Sequence, residues 1–219
     1  MVATQLSARD LFRAAYENRY TWDGQTFPGY TADITFKQDD TVLAGTIRIN
    51  PDLKGEVFGV EDEAAQKAIQ GQLFEIGLHR VRRDFETTHG NNTFSFGETD
   101  ETGAVEILMG GKAEGDRYKL RDNIVSLVHR HIHGIVVTIN TLSVHDTGEG
   151  YLSHRYDSVY HDPKTGEQKG GQSVFEDEYD KIGGYQIMTR RAIETDTNGE
   201  TSTQEFLFSN IQLLESADA

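Results

Sequence analysis

The sequence predicts an α+β protein, in which a large antiparallel β-sheet is accompanied by two amphipathic helices. Runs rich in Val, Ile, Thr, Tyr and Phe follow one another from about residue 93 to residue 214, and these residue types suit a pleated, half-buried strand. Turn signals separate the runs; Asn198-Gly199, for example, favours a two-residue hairpin in which both central residues need positive φ. Two other segments repeat apolar residues at helical spacing.

Length and composition favour a single domain over residues 1–219. All-β domains commonly exceed 200 residues, and a chain of 219 residues buries roughly 70% of its unfolded surface, enough for a sizeable core. The absence of cysteine excludes disulfides, thiolate metal sites and a cysteine nucleophile.

The net charge and the targeting signals limit which partners and which cellular location we expect for this protein. The formal net charge of −15, from 36 acidic against 21 basic residues, disfavours binding to nucleic acid or to anionic membrane surfaces. No stretch approaches the roughly 20 apolar residues of a membrane span. The segment Met1–Asp10 lacks the charged and apolar regions of a signal peptide, so we expect a cytoplasmic protein.

The first helix is expected over Ala8–Asn18. Ser7 and Asp10 have the spacing of a capping box, in which side-chain oxygens accept hydrogen bonds from backbone N–H groups at the helix start. The face to be buried consists of Leu11, Phe12, Ala15 and Tyr16. An aromatic loop that contains Trp22, Phe27 and Tyr30 then leads into the first strand.

A hairpin and a shorter third strand are expected between residues 30 and 60. Apolar residues alternate with polar ones over Tyr30–Lys37, which is typical of a strand with one buried face. The turn Gln38–Asp40 returns the chain as the strand Val42–Ile49. Pro51 ends that strand because it cannot donate a ladder hydrogen bond, and Leu53–Val60 is the expected third strand.

The second helix is expected over Glu61–Arg83. Acidic residues at its start and arginines at its end complement the helix dipole. Apolar residues at i, i+4, i+8 and i+11 give it one stripe that can pack against the sheet, namely Ala65, Ile69, Leu73 and Ile76.

The rest of the chain is expected to form nine strands joined mainly by tight turns. The strands are Thr93–Glu98, Ala104–Met109, Arg117–Arg121, Ile124–Ile132, Ile135–Val144, Leu152–Tyr160, Ser173–Tyr179, Tyr185–Thr195 and Glu205–Leu214. The turns include Asp122-Asn123, His133-Gly134, Asp162–Gly166, Gly183-Gly184 and Asn198-Gly199.

Three segments carry a resemblance to a known family that covers essentially the whole chain. They are SARDLFRAAYENRY at Ser7–Tyr20, VHRHIHG at Val128–Gly134 and GYLSHRYDSVYHDPKTG at Gly150–Gly166. These segments resemble an uncharacterised family found in cyanobacteria and plastids, described as a domain of unknown function. The resemblance implies a phototrophic source, and it supplies no activity.

A second resemblance concerns the fold. The segment Tyr179–Ile187, followed by a charged strand, an Asn-Gly turn and Glu205–Leu213, is similar to the end of LolA-type lipoprotein carriers. Those carriers are half-open β-barrels that hold acyl chains in the concave face. The resemblance implies a strongly curved sheet, a half-barrel, with the two helices on its concave side. The missing export signal argues against a periplasmic lipoprotein as cargo.

His129 and His131 are the candidate metal ligands. They alternate on one strand, so their rings would lie on one face with Cα atoms about 6.6 Å apart, close enough to share a divalent metal ion. His133 is expected in the turn with Gly134, away from this pair. Third ligands could come from the next two strands, at His145, His154 or His161. The alternative is that His129 and His131 are only polar residues on a sheet face.

The candidate ligand-binding residues are His154, Tyr156, Tyr160 and Arg190. The first three share one strand face with Leu152, and in a half-barrel such a face would line a groove for an amphipathic molecule. The alternative is ordinary packing of the tyrosines within the sheet. Glu176 and Glu178 also share a face, where we expect solvated carboxylates or protection of a strand edge.

The sequence favours a non-enzymatic protein, because phosphate-loop, nucleophile-elbow, zinc-protease and dinucleotide motifs are all absent. The leading hypothesis is a binding or carrier protein for a hydrophobic or amphipathic molecule, such as a lipid, a pigment or an isoprenoid, in a phototroph. One alternative is a metal-binding protein or metal-dependent enzyme that uses His129 and His131. Another is an assembly or scaffold factor that binds a protein along an exposed strand edge. No cofactor other than a divalent metal is expected.

Overall fold

The computed structural model describes residues 6–215 and contains three helices and twelve strands. The helices are α1 (Ala8–Glu17), α2 (Glu63–Arg80) and α3 (Phe85–His89). The first six strands are β1 (Tyr30–Gln38), β2 (Thr41–Ile49), β3 (Gly55–Phe58), β4 (Asn92–Thr99), β5 (Val105–Gly111) and β6 (Arg117–Arg121). The others are β7 (Ile124–Ile132), β8 (Ile135–Asp146), β9 (Tyr151–His161), β10 (Gln168–Ile182), β11 (Tyr185–Thr197) and β12 (Glu200–Leu213).

The predicted α+β class and the large antiparallel sheet are confirmed. The strands belong to one open sheet, whose two end strands are β3 and β4. Packing contacts divide the chain into two compact units. Unit 1 comprises the described residues up to Tyr20 with Arg83–Val174 and Asp196–Gly199; unit 2 comprises Thr21–Arg82, Phe175–Thr195 and the residues from Glu200 onward.

In unit 1 the strand order is β9-β8-β7-β6-β5-β4, and α1 packs against β4, β6 and β7. Ser7 caps α1, as the predicted capping box requires, since its Oγ accepts a hydrogen bond of 3.1 Å from the backbone N–H of Asp10. The Asp10 carboxylate in turn accepts a bond of 2.6 Å from the Ser7 hydroxyl. The tight turn between β6 and β7 is also confirmed, because Asp122 and Asn123 both have positive φ, 53° and 60°.

Phe12 of α1 lies at the centre of the unit 1 core. Only 1% of its surface is exposed, and its ring centroid lies 4.7 Å from that of Tyr118 and 5.1 Å from that of His89. Other aromatic rings around it belong to Tyr16, Phe85 and Phe94. One helical residue therefore joins α1 to α3 and to the sheet.

The burial of His89 in this core predicts acid sensitivity. Burial, assisted by Arg130 and Arg19, lowers the pKa of His89 from 6.5 to about 4. Between these values the unfolded chain binds the proton and the folded chain does not, so the free energy of unfolding should fall as the pH drops from about 6.5 through about 4. The loss should reach at most about 3 kcal/mol. Urea unfolding of wild type and His89→Gln across this range measures it; equal slopes for both proteins would contradict the prediction.

In unit 2 the strand order is β3-β2-β1-β12-β11-β10, and α2 packs against β3. The predicted apolar stripe of α2 is buried in full, at Ala65, Ile69, Leu73 and Ile76. Gly55 of β3 permits this packing, because a Cβ at that position would lie only 2.5 Å from the Cβ of Leu73. The predicted aromatic loop is buried as well, with the rings of Trp22 and Phe27 stacked at 4.1 Å.

The structure corrects the predicted bounds of α2 and adds the helix α3. Helix α2 is shorter than Glu61–Arg83, because Asp62 caps it by accepting a 2.7 Å hydrogen bond from Ala65 N–H, and Val81 is already extended. Helix α3 was not predicted, although Asp84 supplies the same kind of cap by accepting a 2.7 Å bond from Thr87 N–H. The short length of α3 hid it from any test of apolar periodicity.

Candidate functional site

Unit 1 contains an open cavity of about 300 Å³ between α1 and the strands β5 and β6. Its apolar floor is formed by Leu11 and Ala15 of α1, Val105 of β5 and Leu120 of β6. Its polar rim is formed by the turns that precede β5 and follow β6, at Thr102, Gly103, Arg121, Asp122 and Asn123. An apolar floor beneath a few polar groups is the common arrangement of small-molecule sites, which have volumes of about 300–1,000 Å³.

The local sequence explains how this cavity arises. Leu11 and Ala15 are four residues apart, so they lie on the same face of α1. Alanine at position 15 leaves space where a larger side chain would reach the strands. The end of the helix is tied to the rim, because Asn18 Nδ2 donates a 3.0 Å hydrogen bond to the backbone oxygen of Asn123.

Asp100 fixes the other side of the rim. Its carboxylate accepts hydrogen bonds from the Thr102 hydroxyl at 2.6 Å and from Lys119 Nζ at 2.7 Å. These hydrogen bonds, of which the one from Lys119 has the largest effect, hold the pKa of Asp100 well below its usual range. Arg121 and Asp122 are exposed at the mouth, with Arg121 Nε 3.8 Å from a carboxylate oxygen of Asp122. The rim therefore offers both donors and acceptors to a polar head group.

Unit 2 has a wider surface groove of about 710 Å³ across β1, β2, β3 and β12. Polar and charged side chains line much of it, including Asp33, Arg48 and Glu56. Several of them already bond to one another: Asn210 Nδ2 donates to Asp33 at 2.6 Å, and Asn50 Nδ2 donates to Glu56 at 3.0 Å. This groove is less suited to an apolar molecule than the cavity of unit 1.

His129 and His131 lie on one face of β7 with ring centroids 6.0 Å apart. The Nδ1 atom of His129 is 2.9 Å from the Thr138 hydroxyl, and that of His131 is 3.1 Å from the buried carboxylate of Asp116. Burial, followed by the charge of Arg117, lowers the pKa of His129, which favours a neutral ring. Both rings are thus oriented through Nδ1, as rings that bind a metal through Nε2 commonly are.

The third metal ligand is missing from the part of the chain that the structure describes. No group of three or more His, Asp or Glu side chains there is arranged to hold a metal ion. His161 is two strands from His131 across Val136, a backbone separation of about 10 Å. His145 and His154 contact each other instead, with ring centroids 4.5 Å apart. The metal hypothesis stays a prediction, and elemental analysis after zinc addition tests it.

The predicted ligand-binding residues lie elsewhere than the cavity of unit 1. His154, Tyr156 and Tyr160 are on β9, where Tyr160 is 39% exposed and His154 Nδ1 is 2.9 Å from the Ser143 hydroxyl. Register shifts between β8 and β9 around Ser143 interrupt the regular alternation that the sequence suggested. Their role in binding stays a prediction.

Arg190, the fourth predicted ligand-binding residue, lies in unit 2 within a network of carboxylates. Its guanidinium lies 3.0 Å from Glu176, 3.0 Å from Glu178 and 2.7 Å from Glu205. These contacts raise the pKa of Arg190, and the hydrogen bond to Glu205 has the largest effect. The predicted acidic pair on β10 thus neutralises a neighbouring arginine. An incoming ligand would have to compete with three carboxylates for this side chain.

The neighbouring Arg191 is buried and forms an ion pair with Asp177 of β10. Its Nε and Nη2 atoms donate to the two carboxylate oxygens at 2.7 and 2.5 Å, and its Nη1 donates to Gln72 of α2 at 2.8 Å. Only 9% of the Arg191 side chain and 1% of the Asp177 side chain are exposed. The pair links α2 to the sheet of unit 2.

Sequence reasoning missed the residues that line the cavity of unit 1. The available signals were the small Ala15 one turn after Leu11 and the polar turn at Asp122-Asn123, which must project beyond the strands. Neither signal indicates that Val105, distant in sequence, lies opposite α1. No helix within residues 6–215 is long and apolar enough to cross a lipid bilayer.

Comparison with solved structures gives distant likenesses. The chain is similar to a LolA superfamily protein from Nitrosomonas europaea, at 8% identity and a TM-score of 0.40, over 96% of this chain and 95% of that one. It is also similar to a domain from Vibrio parahaemolyticus provisionally described as an outer-membrane lipoprotein-sorting protein, at 8% identity, a TM-score of 0.31 and coverages of 96% and 94%. A DUF1329 family protein from Desulfovibrio piger has 8% identity, a TM-score of 0.30 and coverages of 95% and 94%.

Comparison at the level of sequence identifies the family. No curated protein matches the chain. The model of the family described as "Protein of unknown function (DUF3386)" matches residues 3–214. The predicted membership of a family of unknown function is therefore confirmed, and so is the predicted likeness to LolA superfamily structures. Since its model spans nearly the whole sequence, the chain belongs to the DUF3386 family.

Proposed function

We propose that this protein binds and carries a small hydrophobic or amphipathic molecule, and that the cavity of unit 1 holds the apolar part of that molecule. The observation that carries the proposal is the apolar floor of Leu11, Ala15, Val105 and Leu120 beneath a polar rim. A lipid, a pigment or an isoprenoid of a phototrophic cell is the class of cargo that we propose.

The chemistry of the cavity supports this class of cargo. Each CH₂ group that leaves water for an apolar floor contributes about 0.8 kcal/mol, so a short chain suffices for measurable affinity. The exposed Arg121 and the backbone of the Asp122-Asn123 turn can hydrogen-bond a head group at the mouth. The volume of about 300 Å³ suits one short chain or one ring system rather than several acyl chains.

Filling the cavity of unit 1 should weaken binding of the cargo. Val105→Trp adds an aromatic ring at a partly exposed position on the cavity floor. The matched control is Val159→Trp, at a partly exposed strand position in the same unit that does not line the cavity. Binding is measured with the neutral fluorescent probe N-phenyl-1-naphthylamine. We expect saturable binding by wild type and by the control, and an affinity lower by at least about tenfold, or 1.4 kcal/mol, for Val105→Trp.

Two results would contradict the proposal: the absence of saturable probe binding by wild type, or equal losses in both tryptophan variants. Native mass spectrometry of protein purified from a phototrophic host then identifies the cargo class. A co-purifying mass of a few hundred daltons should be present in wild type and depleted in Val105→Trp.

A further inference from the structure

Two histidine rings meet on neighbouring strands of unit 1. His145 lies on β8 and His154 lies on β9, and both residues are partly exposed to solvent. Their ring centroids are 4.5 Å apart and their ring planes are inclined at 55°. The sequence suggested these residues only as third ligands for a metal held by another pair. Together they are themselves a pair of imidazole ligands that a single ion could join.

The strand pairing is irregular at the residue that carries the second ring. Arg155 and Ser153 of β9 pair with successive residues of β8, so His154 between them is the additional residue of a β-bulge. Bulges are common beside functional sites, where they re-aim a side chain. The backbone of β9 thus leaves its regular ladder at the point where the His154 ring contacts that of His145.

Ser143 orients the ring of His154. The Ser143 hydroxyl oxygen is 2.9 Å from Nδ1 of His154, which is a hydrogen-bonding distance. A hydrogen bond at Nδ1 fixes the orientation of an imidazole ring and leaves Nε2 as the nitrogen that can bind a metal. Histidines that bind metals are commonly held through the other nitrogen in this way. His154 is therefore presented as a ligand rather than as a freely rotating surface ring.

The distance between the rings fits two ligands of one metal ion. A metal–nitrogen bond of about 2.0–2.1 Å places the ion about 3.2 Å from the centre of an imidazole ring. Two rings that bind the ion at a right angle then have centres about 4.5 Å apart, and at the tetrahedral angle about 5.2 Å apart. The 4.5 Å between His145 and His154 agrees with the right angle.

The same geometry argues against a shared ion at the other histidine pair. The rings of His129 and His131 are 6.0 Å apart, which would require an angle of about 140° at the metal. His145 and His154 are therefore the better placed pair for one ion, although the sequence singled out the other two.

We propose that His145 and His154 bind one divalent metal ion that favours right-angled coordination, namely Cu²⁺ or Ni²⁺. Imidazole suits both ions, and tetragonal coordination by nitrogen and oxygen is typical of them. No group of three or more His, Asp or Glu side chains in residues 6–215 is arranged around a metal, so water completes the coordination. Neither histidine lines the cavity of unit 1, so this inference does not depend on the proposed function.

The charge and composition of the protein favour such a site. The net charge of −15 raises the local concentration of cations around the protein. The chain has no cysteine, so no thiolate competes with the imidazole rings for a soft metal ion.

The test is a titration of the full chain with Cu²⁺, followed by electron paramagnetic resonance. Cu²⁺ is the probe because it binds nitrogen and oxygen ligands most tightly among the first-row divalent ions. We expect one tight site in wild type, with hyperfine coupling to two imidazole nitrogens. His145→Gln and His154→Gln should each remove one coupled nitrogen and raise the Kd at least about tenfold. Ser143→Ala should raise the Kd about tenfold, because the His154 ring loses its orienting bond.

The matched control is the double variant His129→Gln/His131→Gln. It removes two histidines of the same unit from the neighbouring strand β7, and it should bind Cu²⁺ as wild type does. Three results would overturn the inference: no tight Cu²⁺ site in wild type, an unchanged nitrogen coupling in both single histidine variants, or loss of the site in the control. Circular dichroism of each variant verifies that the protein is folded.

Discussion

Replacing Arg191 with methionine is expected to lower the free energy of unfolding by about 3–5 kcal/mol. The substitution leaves the Asp177 carboxylate, which is 1% exposed, buried without its counter-charge. It also removes the hydrogen bond to Gln72, which connects α2 to the sheet of unit 2. Urea unfolding monitored by the fluorescence of the single tryptophan, Trp22, measures the change in the unit that contains the pair.

The adjacent Arg190 provides a matched control. Arg190→Met removes the same kind of side chain from the preceding residue of β11. The carboxylate partners of Arg190, however, are 24–52% exposed. Water can solvate those partners, so we expect a loss of about 1 kcal/mol or less. The double variant Asp177→Leu/Arg191→Met should be more stable than Arg191→Met, since no lone charge stays buried. Equal losses for the two arginine variants would contradict the role assigned to the buried pair.

Truncating Phe12 should destabilise unit 1 about as much as Arg191→Met destabilises unit 2. Phe12→Ala is expected to cost about 3–5 kcal/mol, because it opens a cavity among rings that currently contact one another. The loss should be apparent in the urea midpoint with an unchanged slope, which indicates a change in stability alone. Near-ultraviolet circular dichroism should also weaken, because the ring at the centre of the aromatic cluster is lost.

Phe74→Ala is the matched control for Phe12→Ala. Phe74 also lies in a helix, α2, but 63% of its surface is exposed. Its removal should change the free energy of unfolding by about 0.5 kcal/mol or less. A large effect of Phe74→Ala would instead indicate that this side chain is covered by something in solution.

Local sequence patterns account for most of the secondary structure. Strands β6 and β7 have the predicted bounds, and the positive φ of Asp122 and Asn123 agrees with the turn predicted between them. The buried stripe of α2 also agrees with the sequence. These features depend on residues two to four positions apart, whose relative orientation is set by the geometry of a strand or a helix. The sequence patterns missed α3, because only the capping residue Asp84 marks the start of that short helix.

The candidate sites depend on packing between residues that are distant in sequence. The cavity of unit 1 requires Leu11 of α1 to lie opposite Val105 of β5. Similarly, the burial of its ion pair distinguishes Arg191 from Arg190, although the two arginines are neighbours in the sequence. Periodicity and turn signals therefore predicted the sheet and the helices α1 and α2, and the resemblance of three segments indicated a family of unknown function. Only the tertiary structure decided which side chains meet, because strand register and helix docking determine which charges are neutralised and where space is left unfilled.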